Sequence, residues 1–168
     1  MTLPISEDVK LLMYSAWLPA LMSTMLETIK ELPAKHRDRL LRQMCKTCED
    51  LAIGGAVGIR PGMTWEEYLK FLQELPAPMG PWTVRQTDDV YDLEYGCSIG
   101  EDGKPRCHCP LVQLGISAPL PQCCDGGASL AKRMIEAAAG QPVATAEVVD
   151  SPLRTGEAVC HYRVHFRS

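Results

Sequence analysis

Apolar residues recur at helical spacing through the first half of the chain and alternate with polar ones through much of the second. Val9, Leu12, Met13, Ala16 and Trp17 form one stripe behind a capping Ser6. Met22, Met25, Leu26 and Ile29 continue it past Pro19, which predicts a kinked helix ending near Leu32-Pro33. From Arg37 to about Ala52, Leu40, Leu41, Met44, Cys48 and Leu51 mark a second amphipathic helix. Thr64 and Glu67 have the spacing of a capping box and open a third, "WEEYLKFLQEL", stopped by Pro76 and Pro78.

Beyond the prolines the period shifts towards two. "WTVRQTD" and "VYDLEYGCSI" predict a strand pair, the second with Tyr91, Leu93, Tyr95, Cys97 and Ile99 on one face. "GEDGK" turns the chain into a cysteine-bearing segment, "ASLAKRMIEAAAG" predicts a helix ended by Gly140, and "PVATAEVVD" and "AVCHYRVHF" predict two strands around "SPLRTG". In the last strand Cys160, Tyr162, Val164 and Phe166 share the apolar face, so His161, Arg163 and His165 point the other way. The fold class expected is α+β in a single domain over 1–168. N-terminal helices (1–78) pack on an antiparallel sheet, and the second half (79–168) runs hairpin, cysteine-rich loop, helix, hairpin.

The chain's 168 residues suit one core, and 46% hydrophobic residues with a net charge of −4 are globular values. Nucleic acid is not an expected partner. The one basic cluster, Lys35, His36, Arg37, Arg39 and Arg42, is interrupted by Asp38 and reads as a solvated helix face. The uncharged run "LLMYSAWLPALMSTML" has 16 residues, fewer than the ~20 of a spanning helix, and Glu7 and Asp8 precede it where a secretory signal wants basic residues. The expectation is a cytoplasmic protein without a transmembrane segment. Its first helix is buried on most sides, in part against a second subunit in a homodimer built through the N-terminal helices.

Eight cysteines are too dilute for a disulfide scaffold in a chain of this length, so close thiols in a reducing compartment point to metal or redox chemistry. Cys45-x2-Cys48 lies inside a predicted helix near its apolar stripe and reads as a buried structural pair. The stronger pattern is Cys107-x-Cys109, thirteen intervening residues, then Cys123-Cys124. Thiolates two apart in extended backbone point to one side and reach one soft metal or cluster together, whereas adjacent ones diverge. Cys107, Cys109, Cys123 and Cys124 are therefore the main ligand candidates, with Cys97 and Cys160 completing a set through the sheet. His108 and Asp125 flank them as ligand-binding candidates, and the cofactors expected are an iron–sulfur cluster or zinc. As a nucleophile, Cys123 or Cys124 would gain from the positive end of the following helix, with His108, His161 or His165 as base.

The pattern "CHCP…P…CC..G", a helix, then "GQPVATAEVVDSPLRTGEAVCHYRVHF" resembles proteins of the L-2-amino-thiazoline-4-carboxylic acid hydrolase family and, more distantly, the four-vinyl-reductase-type domain. That wider group is similar in fold to the small subunits of the TRAPP tethering complex and to haem nitric-oxide-binding domains. The resemblance covers about residues 80 to 166 and is sharpest at Gly140, Pro142-Val143, Ser151, Gly156, Cys160 and Phe166. It implies an α+β ligand-binding module, often dimeric, with a pocket between helices and sheet. Cys107, Cys109, Cys123 or Cys124, and Cys160 then stand where the family carries thiols. Three functions are consistent with these features: a metal- or cluster-binding module in a sensory, carrier or accessory role, a hydrolase of a small sulfur-containing ring using metal-bound water or an activated thiolate, and a binding domain for an apolar small molecule or partner.

Overall fold

A computed structural model describes residues 6–55, 57–76, 80–113 and 120–166. The first helix, α1, runs Glu7–Glu31. Ser6 caps it by accepting from the Val9 N–H. Pro19 has no N–H for the carbonyl four residues back, and the ladder widens to a π turn over Met13–Trp17 just ahead of it. Leu32 and Pro33 separate it from α2, Ala34–Gly54, and the predicted capping box between Thr64 and Glu67 opens α3, Trp65–Glu74. Of the two prolines expected to stop α3, Pro78 lies outside the described residues.

The sheet is antiparallel in the order β1-β2-β6-β5, with β1 Trp82–Thr87, β2 Val90–Gly96, β5 Val143–Asp150 and β6 Val159–Phe166. Asp88, at positive φ, makes the two-residue turn between the first two strands. A separate small ribbon pairs β3, Ser98–Ile99, with β4, Pro105–Arg106, across the GEDGK turn. Ile99, expected on the buried face, is 60% exposed there because this ribbon has left the main sheet. A short α4, Pro110–Gln113, follows. After the described chain resumes, a 3-10 turn, Pro121–Cys123, feeds α5, Cys124–Ala139, which Gly140 ends in the left-handed conformation. The α+β architecture expected from the periodicity is the architecture found.

One sheet face is covered by helices. Tyr91 and Leu93 of β2 stand opposite Val164 and Tyr162 of β6, and these four pack with Ala131, Met134 and Ile135 of α5 and Tyr68 and Leu72 of α3. Tyr68 is fully buried, and its hydroxyl donates to the Val57 carbonyl at 2.7 Å, so the polar tip is satisfied. Gly126 and Gly127 let α5 approach closely: a Cβ on Gly126 would sit 2.7 Å from Cys45 Cβ, and one on Gly127 would strike the Tyr162 ring. The sheet's other face is polar.

The first helix departs from expectation. The uncharged run belongs to a helix of 25 residues, long and apolar enough by length and composition to cross a membrane, and only 6% of its most apolar window is buried within the chain. Leu26 and Ile29 pack on Leu41 and Cys123, but Val9, Leu11, Leu12, Met13, Tyr14 and Trp17 are exposed. The predicted burial on most sides is therefore not found within one chain. The stripe holds for the last two turns only.

Candidate functional site

The inward-facing positions of β2 and β6, the start of α5, one face of α2 and the segment after β4 enclose an apolar cavity of about 380 Å³. Six cysteines line it: Cys45 and Cys48 from α2, Cys107 and Cys109 from the extended segment, and Cys123 and Cys124 at the start of α5. At ~30 Å³ per water the space equals on the order of a dozen waters, larger than a single ion needs. Trp82, Tyr95 and Tyr162 form its aromatic floor, with Trp82 and Tyr95 ring centroids 4.4 Å apart.

Alternation in the sheet sets the deeper thiols. Tyr95 pairs with Cys160, and the Cys97 N–H extends the ladder to the Ala158 carbonyl at 3.2 Å, so Cys97 and Cys160 are diagonal neighbours on the inward face. Cys160 Sγ lies 3.7 Å from Cys97 Sγ and 3.5 Å from Cys107 Sγ. Cys107 also accepts from the Cys109 N–H at 3.4 Å, and both residues line the cavity. The adjacent pair diverges as expected: Cys123 packs among Leu26, Ile29 and Leu41, while Cys124 Sγ contacts the fully buried Ser151 Oγ at 3.2 Å. Among the described residues, no three His, Cys, Asp or Glu side chains stand in an arrangement ready for a metal ion.

His108 lines the cavity, its ring stacked on Tyr95 with centroids 5.9 Å apart. Its Nδ1 is buried and without a hydrogen-bond partner among the described residues. The residue thus shares the cavity lining with the six thiols. Asp125 is elsewhere: it forms an ion pair with Arg154 on the surface and does not line this cavity.

Burial dominates the acid–base behaviour. It pushes Cys109 up to about 11 and Cys123 up to about 12, and it takes Cys45 to about 11 with help from neighbouring Cys48. Cys107 is raised, first by its hydrogen bond to Cys160 and then by burial. Cys124 is also raised by burial, although the Ser151 contact opposes this. The expected activation by the helix N-terminus is thus outweighed by desolvation. Cys97 alone among the thiols is lowered, by its hydrogen bond with Cys160.

The two strand histidines do not reach the thiols. His161 Nε2 bonds Asp92 Oδ1 at 2.7 Å on the polar sheet face, and Arg163 Nε donates to the same oxygen at 2.9 Å. Burial raises the Asp92 carboxyl, but these two bonds together hold it below its usual value. Of the stripe expected on α2, Leu41, Met44 and Cys48 line the cavity, with Cys45, Glu49 and Ala52 beside them, whereas Leu40 and Leu51 are exposed. Cys48 is exposed and Cys45 half-buried, so neither is the core filler expected of it. Buried Glu49 would have argued against this face, but Ser129 Oγ donates to it at 2.9 Å and Arg133 at 3.3 Å.

No protein-family model and no curated protein matches this chain. The functional reading therefore rests on the cavity.

Proposed function

We propose that the protein is a cytoplasmic thiolate-based module that holds a soft metal ion or an iron–sulfur cluster in a sensory, carrier or accessory role. The observation carrying this reading is the convergence on one cavity of six thiols from three separate segments and of His108, whose Nδ1 is buried without a hydrogen-bond partner among the described residues. Cys107, Cys109, Cys123 and Cys124 are the ligand candidates, Cys97 and Cys160 stand behind them, and Cys45 and Cys48 add an opposite wall. Thiols held neutral by burial repel one another once ionised, and a bound cation removes both costs by displacing their protons. Zinc would be held as a structural or Lewis-acidic ion, whereas an iron–sulfur cluster would carry electrons.

Anaerobic purification with an optical spectrum and analysis of iron, zinc, copper and sulfide per chain tests the reading. The expected result is near-stoichiometric metal, lost in Cys107→Ser and Cys109→Ser variants that retain their helix content. A protein that arrives metal-free, takes up neither zinc nor cuprous ion, and forms no cluster with iron and sulfide overturns it.

The exposed apolar surface of α1 favours a second element of the proposal, a homodimer formed through this helix. Exposed apolar residues this numerous along one helix need a cover, and a second copy supplies an equal surface. Light scattering of the purified chain should give twice the monomer mass without detergent. Solubility only in detergent would assign the helix to a lipid bilayer instead.

A further inference from the structure

Three sulfurs form a chain of contacts from a half-buried position to the cavity. Cys97 is half-buried at the end of β2, Cys160 is fully buried on β6, and Cys107 is buried but lines the cavity. The steps between successive Sγ atoms are 3.7 Å and 3.5 Å. A disulfide's S–S bond is ~2.05 Å, so each neighbouring pair bonds once its sulfurs close by about 1.5 Å, the scale of a side-chain adjustment. The central sulfur touches both others, so it can exchange one disulfide partner for the other without a long movement.

We propose that Cys97, Cys160 and Cys107 form a thiol–disulfide relay that passes oxidation by a hydroperoxide from half-buried Cys97 to the cavity wall. Cys97, the accessible member, attacks the peroxide's outer oxygen, the O–O bond breaks, and an alcohol or water leaves as Cys97 becomes a sulfenic acid. Cys160 then displaces hydroxide from that sulfur, water departs with its proton, and a Cys97–Cys160 disulfide forms. Cys107 attacks the Cys160 sulfur, a Cys107–Cys160 bond replaces the first, and Cys97 leaves as a thiolate that takes up the proton Cys107 gave. Two electrons pass from the thiols to the peroxide. The relay needs no metal and so goes beyond the metal reading, but its end product removes Cys107 from the cavity's free thiols.

The test treats the protein as purified, after reduction and removal of reductant, with one equivalent of hydrogen peroxide, blocks remaining thiols, and maps the linked peptides by mass spectrometry. The wild type should link the peptide beginning at Cys107 to that carrying Cys160, with Cys97 recovered free. Cys107→Ser should stop at Cys97–Cys160, and Cys160→Ser should accumulate a sulfenic acid at Cys97 that dimedone traps. Cys97→Ser and Cys97→Ala should each slow formation of the Cys107–Cys160 link by about tenfold or more, since the remaining thiols of the relay are shielded. An undiminished rate in both Cys97 variants overturns the relay, as does oxidation that falls on Cys48 while Cys97 and Cys160 stay free. A wild-type product that remains Cys97–Cys160 overturns the transfer to Cys107. Metal content measured on the same samples keeps the two proposals separate, because the relay stands or falls on the linkage map whatever that content is.

Discussion

The thiol cavity and the N-terminal helix are both rich in apolar residues, yet the chain treats them in opposite ways. Around the cavity, apolar side chains from the sheet, α2, α3 and α5 close on one another, and Leu72, Leu93, Ile135 and Val164 are fully buried. Along α1, six large apolar residues in the first three turns are exposed. Periodicity therefore specifies that a helix forms, and leaves open what covers it. The cavity region is stabilised from within one chain, whereas α1 is buried within it only near its C-terminal end, at Leu26 and Ile29.

Substitutions sharpen this contrast. The largest effect is expected at Leu93→Ala, where loss of a fully buried side chain between α5 and the sheet costs about 2–5 kcal/mol in urea denaturation. Gly127→Val follows at about 3 kcal/mol, because the added carbons meet the rigid Tyr162 ring rather than a flexible side chain. Glu49→Ala leaves Ser129 without its acceptor and Arg133 with only Asp50, and should cost about 1–2 kcal/mol. Leu12→Ala at the exposed start of α1 should change the stability of a monomer by less than about 0.5 kcal/mol. If Leu12→Ala proves as damaging as Leu93→Ala at low protein concentration, α1 is packed within the chain and the contrast fails.

Proton linkage separates the two regions again. Cys45, Cys109 and Cys123 have folded-state values raised to about 11, 11 and 12 by burial, above an unfolded thiol's ~8.5. A raised value means that the folded state keeps its proton longer. The stability from these thiols is complete below the unfolded value and is lost as pH rises through the folded ones. Metal-free protein should thus lose urea resistance between about pH 9 and 12, and Cys45→Ala with Cys123→Ala should flatten that decline. A midpoint that stays constant over this window in the parent protein would contradict the burial of these thiols.

Much of the fold was legible in the residues because local rules determine it. The Thr64 capping box, the Gly140 helix end and the alternation of Cys160, Tyr162 and Val164 each report a short-range constraint that the tertiary structure leaves in place. The Cys-x-Cys and Cys-Cys groups were legible as neighbours of one site, since a single turn-rich segment carries both. The contribution of α2 was legible in part: Leu41, Met44 and Cys48 of the expected stripe line the cavity, but Leu40 and Leu51 do not, because a Leu40-Leu41 pair offers two possible stripes. The inward one contains Glu49, acceptable only through partners 80 and 84 residues away. The contact of Cys97 and Cys107 with Cys160 was equally hidden, since it depends on strand register and on where the chain returns after a separate ribbon. Asp125 shows the converse: next to Cys124 in sequence, it is turned to Arg154.

Whether the cavity holds a metal is decided by metal and sulfide analysis of the protein purified without oxygen, run beside Cys107→Ser and Cys109→Ser. The expected result is a soft metal, or iron with labile sulfide, near one site per chain in the parent, and its loss in both folded variants. Parent and variants with the same metal content, or a parent that binds none of zinc, cuprous ion or an assembled cluster, would contradict it.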